Sequence, residues 1–274
     1  MKPFGVLLVC TALLVGAVTL DNPILLGAIT ACSLALLLAG PGSKRAYLVF
    51  AGTSALLVFL INPFVSVQGL TPIWHGPHIP LLDTEITQEE LAFGAGAAMR
   101  IFASSLAVGA FVRIADSDLV LAAVARVAPR SAMIAALSAR LLPTLERDAA
   151  GIALAARARG AAPSGRRAAA DLLSPLVSLS LERSLGLAEA MEARGYGGGP
   201  RTRARPRPAD ASERVLTAAG AALCAVVGWL VWSGGGDYLY YDLLGDPVTA
   251  PALAGSAAIV AATAVAIGAV RWPR

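Results

Sequence analysis

"LAFGAGAAMRIFASSLAVGAFV", residues 91–112, is an apolar run long enough to cross a lipid bilayer as a single helix. A helix rises about 1.5 Å per residue and the hydrocarbon core is about 30 Å thick, so about twenty apolar residues span it. Five further apolar runs occupy residues 4–20, 23–40, 46–66, 214–233 and 250–270. Run 91–112 alone carries a charged residue deep inside, Arg100. We therefore predict an all-α integral membrane protein with about six transmembrane helices.

The composition supports a membrane protein. The 274 residues are 57% hydrophobic and 15% charged, with a mean hydropathy of +0.69, whereas about a quarter of the residues in soluble domains are charged. Run 4–20 follows Lys2 but lacks a convincing cleavage site, so we expect a first membrane span rather than a signal peptide. Cys10, Cys32 and Cys224 lie in apolar runs without ligand spacing, which indicates neither a disulfide framework nor a metal site.

Charge in the connecting segments predicts the orientation. Loop 41–45 and segment 113–213 are basic, the latter with fifteen arginines, whereas loops 67–90 and 234–249 contain acidic residues and no Lys or Arg. Basic loops stay on the cytoplasmic side of a membrane. Six spans with both termini in the cytoplasm satisfy every loop.

This topology divides the chain into three parts. Residues 1–112 hold transmembrane helices 1–4, residues 113–213 form a cytoplasmic region, and residues 214–274 hold the C-terminal transmembrane helices. The cytoplasmic region is rich in Ala, Leu and Arg. We expect it to be helical and to lie along the membrane surface or against another protein, because its helices carry too many charges to span.

Three helices are predicted in the cytoplasmic region. A short one covers residues 116–127 and uses Ser117 or Asp118 as its N-cap. A long amphipathic one runs from Ser131, its expected cap, to Arg159, with a kink at Pro143. A second long amphipathic helix covers residues 168–194.

Both long helices end in the same tripeptide. Ala158-Arg159-Gly160 closes the first and Ala193-Arg194-Gly195 closes the second. Glycine just past a helix adopts the left-handed backbone that closes it, and an arginine there compensates the helix dipole by about 0.3–1 kcal/mol. Capping alone explains one such triplet. Two triplets at corresponding ends of consecutive helices also predict a pair of contacts, in which each guanidinium binds an acidic groove on another protein.

The ordered series of segments that contains these triplets covers about half of the chain. It consists of "LVFLINPF" (57–64), "ITQEELAFGAGAAMRIFA" (86–103), "DSDLVLAAVARV" (116–127), "ARLLPTLERD" (139–148), "ARARG" (156–160) and "LLSPLVSLSLERSLGLAEAMEARGYG" (172–197). In order and spacing the series resembles the EcfT/CbiQ family, the transmembrane T components of energy-coupling-factor (ECF) ABC transporters.

The resemblance implies a non-catalytic scaffold in a bacterial-type cell (inner) membrane. The two long helices would be coupling helices, and Ala158, Arg159, Gly160, Ala193, Arg194 and Gly195 would contact two ABC-type ATPase subunits. A small membrane-embedded S component would bind the vitamin or transition metal. This chain would bind no cofactor itself, because ATP and Mg would be held by the ATPases.

Three other features have competing interpretations. Arg100 marks either a functional site or a structural contact, since a charge inside a span usually faces the bundle interior. His75 and His78 in "WHGPH" favour a solvated loop over a metal site, because no further ligands converge there. The run "RTRARPRP" (201–208) favours contact with lipid headgroups over nucleic acid.

Two rival functions follow from the residues. A stand-alone secondary transporter would have its own substrate site, but such proteins usually show midplane charges or broken helices. An intramembrane enzyme lacks a plausible nucleophile and base, so we predict no catalytic residues. The sequence also has no Walker glycine-lysine loop.

Overall fold

The structure, a computed structural model, describes residues 3–62, 71–75, 85–160, 165–196, 198–199, 210–240 and 245–271. This part of the chain forms nine helices and two short strands. The elements are α1 (Pro3–Thr19), α2 (Pro23–Ala39), α3 (Arg45–Ile61), β1 (Pro72–His75), β2 (Glu85–Thr87), α4 (Gln88–Ile114), α5 (Ser117–Val127), α6 (Pro129–Ala158), α7 (Gly165–Ala193), α8 (Ala211–Trp232) and α9 (Ala250–Arg271).

The chain divides into two compact units. Unit 1 comprises Met1–Val120 with Ala209–Arg274, and unit 2 comprises Leu121–Pro208. Unit 1 brings the first four apolar helices together with the last two, although about ninety residues of unit 2 separate them in sequence.

Unit 1 is a helix bundle around α4. Helix α4 packs against α1, α2 and α3, while α8 packs against α1, and α9 packs against α2 and α8. Large apolar side chains from five helices are fully buried where these helices meet: Leu13, Leu25, Leu106, Leu223 and Ile259.

Each of the six apolar runs contains a helix, and the chain is an all-α membrane protein. Helices α4, α8 and α9 are long and apolar enough to cross a bilayer, with 27, 22 and 22 residues. Helices α1, α2 and α3 are equally apolar but have 17 residues each, the lower limit of a spanning helix. A two-stranded antiparallel hairpin of β1 and β2 departs from the predicted loop.

Local caps explain where several helices begin. The Asn22 side chain accepts a hydrogen bond from the Ile24 N–H at 3.0 Å and starts α2. Thr87 and Glu90 exchange hydrogen bonds in a capping box that starts α4, three residues before the apolar run.

Two predicted caps were wrong. The Asp116 carboxylate, rather than Ser117 or Asp118, accepts the backbone N–H at the start of α5, from Asp118 at 3.1 Å. Helix α6 begins at Pro129 instead of Ser131, and it follows Ala128, which makes no side-chain cap. Proline suits a first helical position because the N–H that it lacks would have no partner there. Helix α6 continues through Pro143.

An arginine joins the end of α4 to the end of α2. The Arg113 guanidinium donates to the carbonyls of Leu37, Gly40 and Gly42, each at 2.8 Å. These carbonyls lie at and beyond the last turn of α2, where the backbone has no helical partner and the helix dipole is negative. Arg113 therefore holds the turn between α2 and α3 against α4.

Candidate functional site

The end of α6 has the geometry of a glycine C-cap. Arg159 occupies the cap position, and its N–H donates to the carbonyls of Ala155 and Ala156, both at 3.2 Å. Gly160 follows with a φ of 79°, and its N–H donates to the Arg157 carbonyl at 3.0 Å. The left-handed backbone of Gly160 closes the helix as the sequence predicts.

The end of α7 repeats this arrangement. Gly195 has a φ of 75°, and its N–H donates to the Glu192 carbonyl at 2.8 Å. The N–H of Tyr196 reaches back to the Met191 carbonyl at 3.0 Å. This pair of bonds is a Schellman motif, which leaves Arg194 at the tip of the helix.

Both tripeptides are exposed on the surface of unit 2. Ala158, Arg159, Gly160, Ala193, Arg194 and Gly195 are all exposed. Within the described residues, neither the Arg159 nor the Arg194 side chain makes an ion pair or a hydrogen bond. A Cβ atom added at Gly160 or Gly195 would meet no atom within 4 Å. The two guanidinium groups are therefore available to an outside partner.

Three other charged residues of unit 2 have internal partners. The Arg183 guanidinium donates to the Asp148 carboxylate and ties α7 to α6. This hydrogen bond lowers the pKa of Asp148 below its usual value, because it stabilises the charged carboxylate. Arg147 donates its Nε–H to the Pro143 carbonyl at 3.1 Å. The Arg183–Asp148 pair joins the two helices, the Arg147 bond lies within α6, and both arginines thereby differ from Arg159 and Arg194.

Helices α6 and α7 run antiparallel. The Tyr196 hydroxyl, just beyond α7, donates to the Met133 sulfur in the first turns of α6, while Arg183 pairs with Asp148 further along. The tip that bears Arg194 therefore lies beside the start of α6, and Arg159 lies at the far end of that helix. At about 1.5 Å per residue, a straight helix from Met133 to Arg159 is roughly 39 Å long. The two arginines thus stand far apart, at opposite ends of the pair.

An apolar groove lies between the two helices close to Arg194. Its volume is about 540 Å³, and its walls include Met133, Leu137 and Leu141 from α6 with Leu187 and Met191 from α7. Several large apolar residues on the same two helices are more than half exposed: Ile134, Leu142, Leu154, Leu173, Val177, Leu181 and Leu185. The helix pair thus presents apolar surface and two cationic tips.

Arg100 belongs to unit 1 and has an internal partner. Its guanidinium forms an ion pair with Asp21, in the turn between α1 and α2. The Tyr240 hydroxyl donates to the Asp21 carbonyl at 2.7 Å, and a Cβ at Gly96 would lie 2.5 Å from that hydroxyl oxygen. The N–H groups of Asp21 and Asn22 donate to the Gly236 carbonyl at 2.9 and 3.0 Å. Arg100 therefore joins a network between α4, the α1–α2 turn and the loop before α9.

The remaining candidates lie only partly within the described residues. His75 lies in β1, whereas His78 lies outside the described residues, as does the run 201–208. Within the described part of the chain, no group of three His, Cys, Asp or Glu residues could hold a metal ion. All three cysteines are free thiols.

Sequence reasoning missed the residues that hold these elements in place. Asp21 and Tyr240 lie in short connections, and Arg113 is one of many arginines, so neither periodicity nor spacing marks them. Asp21 did carry one signal, since it is an acidic residue between two apolar runs that matches the charge of Arg100.

The comparisons with known proteins agree with the membrane character of the chain. No curated protein matches the sequence. The family model described as "CbiQ: Cobalt transport protein" matches residues 1–205, which extends the similarity to the first three helices and leaves α8 and α9 outside it. The match covers well over half of the chain, and the chain belongs to the CbiQ cobalt transport protein family.

Proposed function

We propose that this chain is the transmembrane energy-coupling (T) component of an ECF-type ABC importer. The observation that carries the proposal is the pair of exposed arginines, without a side-chain partner among the described residues, at the two C-terminal caps of α6 and α7. Arg159 and Arg194 stand at equivalent positions of two helix ends, each fixed by a glycine with positive φ. Membership of a cobalt transport family also supports a role in transport.

Each arginine would bind one ABC-type ATPase subunit. A guanidinium presents five donors in a rigid fork that matches a carboxylate, and a cap holds it at a defined place. Ala158 and Ala193 keep the surroundings of each arginine small, so that the helix tip can enter a groove. Because the tips lie roughly 40 Å apart in a straight antiparallel pair, one ATPase groove could not receive both, which favours two subunits.

The apolar surface of α6 and α7 would bind the small membrane-embedded S component. Both helices carry several charged residues along their length, more than a spanning helix usually contains, so their exposed leucines are available to a partner protein. Large exposed apolar patches mark contacts with protein or membrane. In this proposal the ATPases close on ATP, move the two helices, and tip or release the S component.

Energy and specificity would both come from partner chains. ATP and Mg would be bound by the ATPases, and this chain would be a non-catalytic membrane subunit. The family description names cobalt, which fits a transition-metal cargo, and a vitamin is the other class that the resemblance implies. The cargo would be selected by the S component.

The proposed orientation of the chain in the bilayer is based on the distribution of its arginines. Unit 2 would lie in the cytoplasm of a bacterial-type cell, with both termini on the same side of the inner membrane, since basic segments remain inside. The outer connections would then include the α1–α2 turn, the β1–β2 hairpin and the loop between α8 and α9.

Purification in mild detergent followed by reconstitution tests the proposal. We expect the chain to co-purify with two ATPase subunits and a small membrane protein, and the complex to take up its cargo only with ATP. Recovery of the chain alone, with full transport in liposomes that contain no ATPase, would establish a stand-alone secondary transporter and end the proposal.

A further inference from the structure

Helix α2 ends on positive charge that its own last turn does not supply. That turn contains no basic residue. The Lys44 ammonium donates to the Leu38 carbonyl at 2.6 Å, and the guanidinium of Arg113, from the last turn of α4, donates to four further carbonyls. The carbonyls at the end of a helix make that end negative, so nearby cations stabilise it. The end of α2 therefore depends on a residue of another helix.

The Arg113 guanidinium uses all three of its nitrogens. Its Nε–H donates to the Pro41 carbonyl at 2.9 Å, and Nη1 donates to the Leu37 carbonyl at 2.8 Å. Nη2 donates to the carbonyls of Gly40 and Gly42, both at 2.8 Å. A planar fork of five donors suits carbonyls that point in several directions, whereas a lysine ammonium is a compact point charge. One side chain of α4 thus binds residues 40–44, here called the α2–α3 turn, together with the last turn of α2.

The backbone of the α2–α3 turn lies close against the end of α4. A Cβ atom added at Gly40 would lie 3.2 Å from Cγ1 of Ile114 and 3.5 Å from Cβ of Arg113. Gly42 has a φ of 85°, a conformation that residues with a side chain rarely adopt. The two glycines let the turn come within reach of Arg113.

Helix α3 has little support apart from α4. Among its residues only Ala51 is buried, and α3 packs mainly against α4. Its first turn lies close to α4, because a Cβ atom added at Gly109 would be 3.0 Å from Cδ1 of Tyr47. Gly109 lies one turn before Arg113. The last two turns of α4 therefore hold both the start of α3 and the turn that precedes it.

The same end of α4 leads into unit 2. Only two residues separate α4 from α5. Helix α5 begins in unit 1 and continues into unit 2, since the division between the units falls between Val120 and Leu121. A displacement of α5 therefore acts first on the end of α4, where Arg113 lies.

We infer that Arg113 is a positioning residue for transport. It makes the α2–α3 turn follow the end of α4, so that a movement of unit 2 changes the position of α3 in the bundle. The inference rests on the proposed function, in which ATP moves the helices of unit 2. Packed helices and the hydrogen bonds between them carry such coupling from one site to another. Lys44 cannot replace Arg113 in this role, because its bond is to α2 and does not involve α4.

The test measures the movement of α3 in the complete complex with its ATPases, in lipid nanodiscs. Spin labels are attached at Val49→Cys on α3 and Val265→Cys on α9, where the native side chains are 57% and 52% exposed, in a chain whose three native cysteines are replaced by alanine. Helix α9 serves as the reference because it packs against α2 and α8. The distance between the labels is measured without nucleotide and after trapping with ATP and vanadate.

Two variants of Arg113 are compared with a matched control. Arg113→Gln removes the charge and most of the donors, and Arg113→Lys keeps the charge without the fork. Arg271→Ala is the control, because Arg271 also lies in the last turn of a helix and its side chain has no partner among the described residues. For each complex we also measure ATP hydrolysis and, in proteoliposomes, the uptake of Co²⁺, the metal that the family description names.

We expect ATP and vanadate to change the label distance in the wild type and in Arg271→Ala but not in Arg113→Gln. Hydrolysis by both Arg113 variants should stay close to the wild-type rate. The Co²⁺ taken up per ATP hydrolysed should fall about ten-fold in Arg113→Gln and about three-fold in Arg113→Lys, within the range by which single substitutions alter coupling. If the complex carries a cargo other than Co²⁺, the label distance decides the inference by itself.

The inference is overturned if Arg113→Gln keeps the wild-type distance change or the wild-type uptake per ATP. It is also overturned if the label distance in the wild-type complex does not respond to ATP. Loss of assembly with the ATPases in both Arg113 variants, or an equal fall in hydrolysis and uptake, would make Arg113 a structural residue only and would overturn it as well. A wild-type chain that transports without ATPases ends the proposed function and the inference together, whereas failure of the inference alone leaves wild-type uptake dependent on ATP.

Discussion

Units 1 and 2 differ in the burial of their large apolar side chains. Unit 1 has a true core, with large side chains such as Leu106 and Leu223 fully buried between helices. In unit 2 the only buried hydrophobic residue among those described is Ala132, although α6 and α7 have 30 and 29 residues. Most exposed apolar groups on unit 1 belong to helices with the composition of membrane spans, whereas most of those on unit 2 belong to helices with several charged residues. An exposed apolar side chain therefore has a different meaning in unit 1 and in unit 2.

The largest effect on transport is expected when the arginines at both helix caps of unit 2 are removed. Arg159→Ala/Arg194→Ala should reduce ATP-driven uptake at least ten-fold, because both proposed contacts with the ATPases disappear, while each single change costs less. Uptake of radiolabelled cargo into proteoliposomes that contain the complete complex measures this loss. Arg140→Ala, which removes an exposed arginine from the middle of α6, is the control and should leave uptake unchanged. Normal transport by the double variant would show that the assignment of these arginines is wrong.

A pair of leucine substitutions compares the buried core of unit 1 with the exposed surface of unit 2. Leu223→Ala in unit 1 should destabilise the protein by about 2–5 kcal/mol, because it leaves a cavity in a packed interface between helices. Leu185→Ala in unit 2, where the side chain is 65% exposed, should change the stability of the isolated chain very little. Unfolding in mixed detergent micelles gives both values. Equal losses at the two positions would mean that unit 2 has packing comparable to that of unit 1.

The ion pair of unit 1 should show a smaller effect. Asp21→Asn leaves the Arg100 guanidinium without its charged partner and should cost about 1–2 kcal/mol, since both side chains are partly exposed and solvent weakens the pair. The exchanged variant Asp21→Arg/Arg100→Asp should recover part of that loss. The same unfolding assay tests both variants. If Asp21→Asn keeps full stability but abolishes transport in the complete complex, Arg100 has a functional role instead.

The smallest effects distinguish two glycines of α7. Gly195→Ala should destabilise the last turn by about 1–2 kcal/mol, because its φ of 75° is unfavourable for a residue with a Cβ. Gly186→Ala lies inside the helix, where a Cβ meets no atom within 4 Å, and should stabilise it by about 0.5–1 kcal/mol. Hydrogen exchange of the amides at the end of α7 reports both changes. The same sign for both substitutions would contradict the cap geometry.

Much of the fold could be predicted from local features. The six apolar runs correspond to six helices because spanning length and composition are properties of a continuous segment. Gly160 and Gly195 close their helices as predicted because a cap depends on residues within one turn. The starts of α5 and α6 were placed incorrectly because several polar residues compete as caps, and Asp116 and Pro129 lie only one or two residues from the predicted ones.

The candidate site was only partly predictable. The sequence identified Arg159 and Arg194 as helix ends, but their separation depends on the antiparallel packing that Asp148–Arg183 and Met133–Tyr196 reveal. The β1–β2 hairpin was missed because its strands are three or four residues long, too short for a period to be recognised.

The sequence by itself determined the membrane class, the positions of the helices and the two arginine caps, since each depends on composition or on contacts within about four residues. Only the tertiary structure decided that Arg100 pairs with Asp21, that α8 and α9 complete the bundle of α1 to α4, and that Arg113 reaches the turn between α2 and α3. Such partners are distant in the chain, and they meet only because the helices pack in one particular arrangement.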